Sequence, residues 1–258
     1  MTAALYAEWT KLRTLAGTAW LLLATIVLTI GISVAIVAAT HQSSARGGSQ
    51  DPTKLALTGI DLGQAAIAVL AVLVISEEYG TGMVRTTLVA IPHRLIMLAA
   101  KAANLAALTL VAAVIAVAGC LIAGRFLFPT SGIDPAHGYA LISIAEATTL
   151  RAAVGSVIYL ILIALLALGI ATTVRDTAVS IGVVLALLYM PPLLAQAVSD
   201  PFRRLIQQIG PMTAGMSIQA TVNLHDLPID PLAGLGVLAA WAAAALLLGG
   251  LLLHRCDA

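Results

Sequence analysis

The sequence predicts an all-α membrane protein. Six transmembrane helices are preceded by an interfacial helix, and a further short helix sits in the loop between the second and third spans. Three observations predict this. Of 258 residues, 60% are hydrophobic and only 10% charged, where a soluble domain carries about 25% charged residues. Mean hydropathy is +1.03. Six apolar stretches, residues 19–40, 59–76, 102–124, 152–174, 177–198 and 232–253, come close to or exceed the roughly 20 residues that cross a hydrocarbon core as a helix. Barrel strands would be about 10 residues long and strictly alternating.

The elements follow in chain order as a single transmembrane domain over residues 1–258. In residues 1–18, ALYAEWTKLRTL places Leu5, Trp9 and Leu12 on one helical face with Glu8 and Lys11 off it. That pattern, with Tyr6 and Trp9 suited to the headgroup region, predicts a helix lying on the membrane surface. Charge before an apolar run is also the order of a signal peptide. The run from Ala19 is too long for one, so it is read as a retained first span. The second span, 59–76, is the shortest. Residues 77–101 form a polar interlude, and residues 199–231 an outer loop whose stretch LIQQIGPMTAGMSIQA suits short helices folding back onto the membrane surface. The loop ARGGSQD, residues 45–51, is polar and glycine-bearing.

Six spans put both termini on one side. With the termini cytoplasmic, the inside carries Lys11, Arg13, Arg85, Arg94, Lys101, Arg175 and Arg255, and the outside Arg46, Lys54, Arg125, Arg151, Arg203 and Arg204. The balance is close. The inside cations lie mostly in short segments near span ends, where the positive-inside rule is strongest, and this favours cytoplasmic termini. Cys120 and Cys256 then fall towards opposite faces, which disfavours a disulfide.

Apart from Asp61, no Asp, Glu, Lys or Arg lies within these six stretches. A charge at the bilayer centre costs about 3 kcal/mol on insertion scales and is usually kept for function. Ion-coupled pumps keep carboxylates there, so energy for a transport cycle is expected from outside the membrane. Asp61 has two readings, a substrate contact or an acidic residue in a helix's first turn, and the dipole favours the second. Small residues at helical spacing (Gly59/Gly63, Gly31/Ala35, Gly155) permit close helix approach. Pro191 and Pro192 interrupt the fifth span, either as a gate hinge or as an ordinary span end. Gln64, Ser76, Asn104, Thr109, Tyr159 and Gln196 are the scattered polar groups of the spans. Such walls suit an apolar or amphipathic cargo better than a sugar.

The interlude EEYGTGMVRTTLVAIPHRLIMLAAK, Glu77 to Lys101, stands apart. It opens on Glu77 and Glu78 and a turn with Gly80 and Gly82. Val84, Leu88 and Ile91 then share one helical face, Pro92 follows, and Arg85, Arg94 and Lys101 supply positive charge. A short helix of this kind fits either a groove on a soluble partner or the membrane surface.

Several chemistries are unsupported. Net charge is +1 with no basic tract, so nucleic-acid binding is not expected. No G-x-x-x-x-G-K-[ST] and no H-E-x-x-H occurs, so neither that nucleotide site nor that zinc site is present. His41, His137 and His225 fall in the expected outer loops, without recognised metal-ligand spacing. Glu77-Glu78 lacks the arginine spacing and intramembrane histidines of a prenyl-endopeptidase, and Gly155-Ser156 lacks a following glycine. No enzyme and no cofactor of the chain's own is expected.

On these residues the chain resembles the permease subunits of ABC-2 type ATP-binding-cassette exporters, especially the actinobacterial branch. EWTKLRTLAGTAWLLL looks like that branch's approach to the first span. EEYGTGMVRTTLVAIPHRLIMLAAK is similar to the family's acidic-x-x-G-T-then-P-x-R-x-K pattern, on Glu78, Gly82, Pro92, Arg94 and Lys101, with Glu77 and Arg85 in the same segment. Gly80 stands where the family often has a basic or polar residue. RAAVGSVIYLILIALLALGIATTVRDTAVSIG resembles the fourth and fifth spans joined by a tight turn at Arg175 to Ala178, and IGPMTAGMSI the loop before the last span. The resemblance implies a bacterial plasma-membrane permease half that pairs with a second permease copy or paralogue and sits on two cytosolic ATPase subunits. Those subunits would bind the ATP, and residues 77–101 would serve as the coupling helix. The alternatives are a non-transporting scaffold or immunity protein, and a passive channel.

Overall fold

A computed structural model describes residues 16–40, 51–80, 94–127 and 146–255. Six helices among them are long and apolar enough to cross a membrane, as the sequence predicts, and no strand occurs among the described residues. In chain order, α1 is Ala16–Thr40, α2 Pro52–Leu57, α3 Ile60–Gly80, α4 Arg94–Leu127, α5 Ala147–Val174 and α6 Thr177–Ala197. Then come α7 Phe202–Ile209, α8 Pro211–Gly215, 3-10 turns at Met216–Gln219 and Leu224–Asp226, and α9 Pro231–Arg255. The expected N-terminal interfacial helix, with Leu5, Trp9 and Leu12, lies outside the described residues.

The central helix is α5. It packs against α3, α4, α6 and α9, and 61% of its most apolar window is buried, against 22% for α1, α6 and α9. Leu160, Ile163, Leu166 and Leu168 are fully enclosed. Its pairing with α9 depends on small residues. A Cβ on Gly169 would sit 2.6 Å from the Ala245 carbonyl carbon, and one on Gly249 would sit 3.0 Å from the Gly169 carbonyl oxygen.

Helix ends reach further than the apolar runs. The second span is the main correction. In place of a short helix over 59–76, a broken helix begins at Pro52, turns at Thr58–Gly59 and resumes as Ile60–Gly80. Asp51 starts it by accepting from the Lys54 N–H at 3.2 Å, and Pro52 suits the first helical position, where no N–H is needed. Longer helices also take in Lys54, Lys101, Arg125 and Arg151. Between α5 and α6 the chain turns in two residues. Arg175 adopts a left-handed conformation (φ 62°) and Asp176 caps α6, its carboxylate accepting from the Val179 N–H at 2.8 Å. Arg175 Nη2 also reaches the Leu252 carbonyl at 3.2 Å, a cation at the negative end of α9.

Pro191 and Pro192 do not end the fifth span. Helix α6 runs through both to Ala197, and Pro191 lies against the α7–α8 junction, where a Cβ on Gly210 would be 3.1 Å from its Cβ. The loop between α6 and α9 is folded. Helix α7 leaves Phe202, Leu205 and Ile209 exposed. In α8 and the first 3-10 turn, Pro211, Met212, Ala214, Gly215, Ser217, Ile218 and Gln219 are buried. The chain turns at Gly210 from exposed α7 into this buried stretch, a helical hairpin whose second arm packs against α5 and α9, and glycines make room for it. A Cβ on Gly234 would come 2.0 Å from the Ala214 carbonyl oxygen, and one on Gly155 2.0 Å from Ile218 Cγ1.

Two clasps hold the hairpin's exit. The Asp51 carboxylate accepts from the Thr221 N–H, from Thr221 Oγ1 at 2.7 Å and from the Val222 N–H at 3.1 Å. Arg151 Nη2 donates to the Ala220 carbonyl at 2.6 Å. Hydrogen bonds to a charged acceptor are among the stronger ones. Asp51→Ala is therefore expected to lower stability by about 2 kcal/mol, with Asp51→Asn between it and the parent because one amide oxygen still accepts. Thermal unfolding in detergent checks this, and equal melting of Ala and Asn variants would count against the clasp.

Candidate functional site

The polar interlude contributes little to the described residues. Glu77 and Glu78 belong to the last turn of α3, and Arg94 opens α4. Gly82, Arg85 and Pro92, with the apolar face Val84, Leu88 and Ile91, lie outside the described residues. Lys101 is the best-placed member. It sits in the third turn of α4, is only 1% exposed, and is engaged in an interaction of its own. A lysine so enclosed must keep a partner for its charge. Helix α4 has 34 residues, about 50 Å of helix against a hydrocarbon core of about 30 Å. It is long enough to project from the bilayer.

A second candidate lies where the broken helix meets the hairpin. Sequence reading gave Gly59/Gly63 only as a generic packing pair; the structure gives them a partner. Thr29 and Ser33 of α1, both buried, face the break. Gly59 N–H donates to Ser33 Oγ at 3.0 Å, and Ser33 Oγ is hydrogen-bonded with Cys120 Sγ at 3.3 Å. A Cβ on Gly59 would be 1.9 Å from the Thr29 carbonyl oxygen, and one on Gly63 2.0 Å from Thr29 Oγ1. Gly31, by contrast, has nothing within 4 Å and supplies no contact.

One turn on, Asp61 stands in the first turn of α3, as the dipole reading expects. Its carbonyl accepts from Gln64 Nε2 at 3.0 Å and from the Tyr189 hydroxyl of α6. Gln64 Nε2 also lies 3.2 Å from Met212 Sδ of the hairpin, and Gln64 Oε1 accepts from the Tyr159 hydroxyl of α5. Gln64 and Tyr159 are fully buried. The tyrosine ring fits because position 215 is glycine, where a Cβ would be 2.7 Å from it. The node thus ties α3, α5, α6 and the hairpin together inside the apolar bundle. The Asp61 carboxylate receives no hydrogen bond among the described residues, although its backbone carbonyl receives two. It is left as a half-buried acceptor beside the node.

The other polar candidates divide by position. Ser76, Asn104 and Thr109 are buried with Gln64 and Tyr159, whereas Gln196 is exposed and lines no interior. A polar pocket of about 490 Å³ opens beside α7, lined by Asp200, Arg203, Arg204, Gln207, His225 and Asp226. There Arg203 donates to Asp200 at 2.9 and 3.3 Å and holds its carboxyl below the usual range. Of the three loop histidines only His225 is described. No group of three or more His, Cys, Asp or Glu able to hold a metal occurs among the described residues.

Sequence reasoning singled out Asp61, Gln64 and Tyr159 separately and missed Tyr189, Met212 and the hairpin as their partners. These contacts span 95 to 148 positions, and no spacing pattern encodes them. The available signal was the broken span, since interrupted membrane helices often mark functional sites. In comparisons with known proteins, neither a family model nor a curated protein matches this chain.

Proposed function

We propose that this chain is the membrane-spanning permease subunit of an ATP-driven exporter of the ABC-2 type, one half of a pair seated on two cytosolic ATPase subunits. The observation that carries the reading is the placement of the polar interlude. It joins the last turn of α3 to a helix long enough to project from the bilayer, and it bears the acidic, glycine and proline–arginine pattern of a coupling helix. On this reading both termini and residues 77–101 face the cytoplasm of a bacterial cell. Glu77, Glu78, Gly82, Arg85, Pro92 and Arg94 meet the ATPase, while Lys101, enclosed in the bundle, supports that segment from within. The broken helix and buried hairpin then stand at the opposite end of the path, and an apolar or amphipathic cargo (drug, lipid or peptide) suits the Ala- and Leu-rich walls.

The test is a mild-detergent pull-down of the tagged chain from its native membranes, followed by Glu78→Lys and Arg94→Glu variants. The expected result is a near-stoichiometric ATPase with the parent chain. Charge reversal should lower efflux about tenfold or more, because like charges then face each other at the contact, with membrane insertion unchanged. Full efflux from both variants overturns the coupling assignment. Recovery of the chain without any ATPase in several detergents, with resistance that needs no ATPase, favours a scaffold or immunity protein instead.

A further inference from the structure

The outer surface of the α4–α5 pair is not flat. Where these two helices pack together, an apolar groove of about 250 Å³ runs between them. Val114, Ala118 and Ile122 of α4 and Ala153, Val154 and Val157 of α5 line it. Small side chains at 118 and 153 leave the space between the larger ones. From Val114 to Ile122 the groove follows about 12 Å of helix.

One end of this groove is charged. On α4, Val114, Ala118, Ile122 and Arg125 follow at steps of four, four and three, a single stripe of the helix. On α5, Glu146, Leu150, Val154 and Val157 repeat those steps. Successive spans run in opposite directions, so Arg125, closing the first stripe, and Glu146, opening the second, lie at the same end. Both are exposed, and they are not ion-paired with each other. Arg125 follows directly on the apolar run that ends at Gly124, and a long basic side chain there reaches headgroup depth.

An apolar groove facing hydrocarbon does not stay empty. Unfilled, its walls forfeit dispersion contacts, and water does not occupy so apolar a space. Eight residues line it, where a stable protein interface takes roughly 20–30 a side. A narrow, flexible chain therefore suits it better than a second copy. The mouth then selects the head of that chain. A guanidinium and a carboxylate at one end complement a group that carries both a phosphate and an ammonium. A head with only negative charge would satisfy Arg125 but meet the like charge of Glu146. A primary ammonium donates charge-assisted hydrogen bonds to a carboxylate, whereas a quaternary one has no N–H to give.

We propose that the α4–α5 groove binds a bilayer phospholipid with a zwitterionic, primary-amine headgroup, the chemistry of phosphatidylethanolamine. One acyl chain fills the groove, Arg125 meets the phosphate and Glu146 meets the ammonium. The site does not depend on the transport reading.

The test is native mass spectrometry of the full chain, delipidated in detergent. It is titrated with phosphatidylethanolamine, phosphatidylcholine and phosphatidylglycerol of identical acyl chains. The parent is expected to bind phosphatidylethanolamine about threefold or more tighter than the other two, the scale of an exposed charge pair. Glu146→Gln should bring it down to the level of phosphatidylcholine, and Arg125→Gln should weaken all three. Ala118→Leu fills the groove from an exposed position and should lower binding of every lipid about fivefold or more. The charge variants, at exposed helix ends, test the headgroup independently of packing. Equal binding of the three lipids by the parent, or a preference for phosphatidylglycerol, overturns the proposal. So does lipid binding undiminished in Ala118→Leu. A dimer mass that Ala118→Leu converts to monomer, with lipid binding unchanged, assigns the groove to a second copy and overturns it as well.

Discussion

Gly59→Ala is expected to unfold the protein's first half more readily than any single methyl group would suggest. The added Cβ would stand 1.9 Å from the Thr29 carbonyl oxygen, a backbone atom that no rotamer change can move aside. Helices α1 and α3 must then separate. That strains the Gly59 N–H to Ser33 Oγ bond and the Ser33–Cys120 contact that brings α4 to the same place. Overpacking of this kind costs about 3 kcal/mol, about 6–10 °C in Tm for a chain of this size. Gly31→Ala is the internal control, on the neighbouring helix with nothing within 4 Å. It should be neutral, or slightly stabilising through helix propensity. If the two variants melt together, the close approach at the break is refuted.

The second large effect is expected at the buried node, and its signature is non-additivity. Tyr159→Phe removes the donor to Gln64 Oε1, leaving an amide oxygen unpaired in an apolar core at a cost of about 1–3 kcal/mol. Gln64→Leu orphans the Tyr159 hydroxyl and also loses the bonds to the Asp61 carbonyl and Met212 Sδ, at a similar or greater cost. With both changed, neither is left facing an empty position. The double variant should then be more stable than the summed singles predict by about 1 kcal/mol or more. Thermal unfolding of the four proteins measures this coupling, and strict additivity would mean that the two side chains do not share a bond.

Both predictions concern contacts that sequence alone did not reveal. The sequence did identify Gly59, Gly63, Gln64, Asp61 and Tyr159 as departures from lipid-facing filler. Helical spacing and a polar residue in an apolar run are visible without coordinates. Their partners were not visible, because Thr29, Ser33, Tyr189 and Met212 come from other elements. The sequence predicts short helices in the loop before α9, and the burial of residues 211–219 among α5 and α9 is not legible in it. The stretch's moderately apolar composition suits a surface helix and a buried one alike. Only the glycines at 155, 215 and 234, each facing a residue that a Cβ would strike, admit it to the interior.

The boundary errors have a physical cause too. Apolar runs mark where lipid lies, not where helical hydrogen bonding stops. The helix of the second span starts seven residues before its apolar run, since Pro52, Thr53 and Lys54 dilute the hydropathy while still forming a capped first turn. Helix α4 takes in Arg94 and Lys101 ahead of the apolar run, because polar residues are no obstacle to a helix outside the hydrocarbon.

What the sequence determined by itself was the class of molecule and the number of crossings. Backbone groups in a bilayer must be satisfied within the segment, so length and apolarity suffice to identify a helix there. The tight turn at Arg175–Asp176 was likewise local, and it appears where the motif put it. Tertiary structure alone decided that α5 is the central helix, that the second span is broken against Thr29, and that the hairpin is buried and clasped by Asp51 and Arg151. Those outcomes depend on which helices meet. Between helices that are apolar all round, meeting is governed by close packing and a few buried hydrogen bonds, and the one-dimensional pattern of hydrophobicity carries neither.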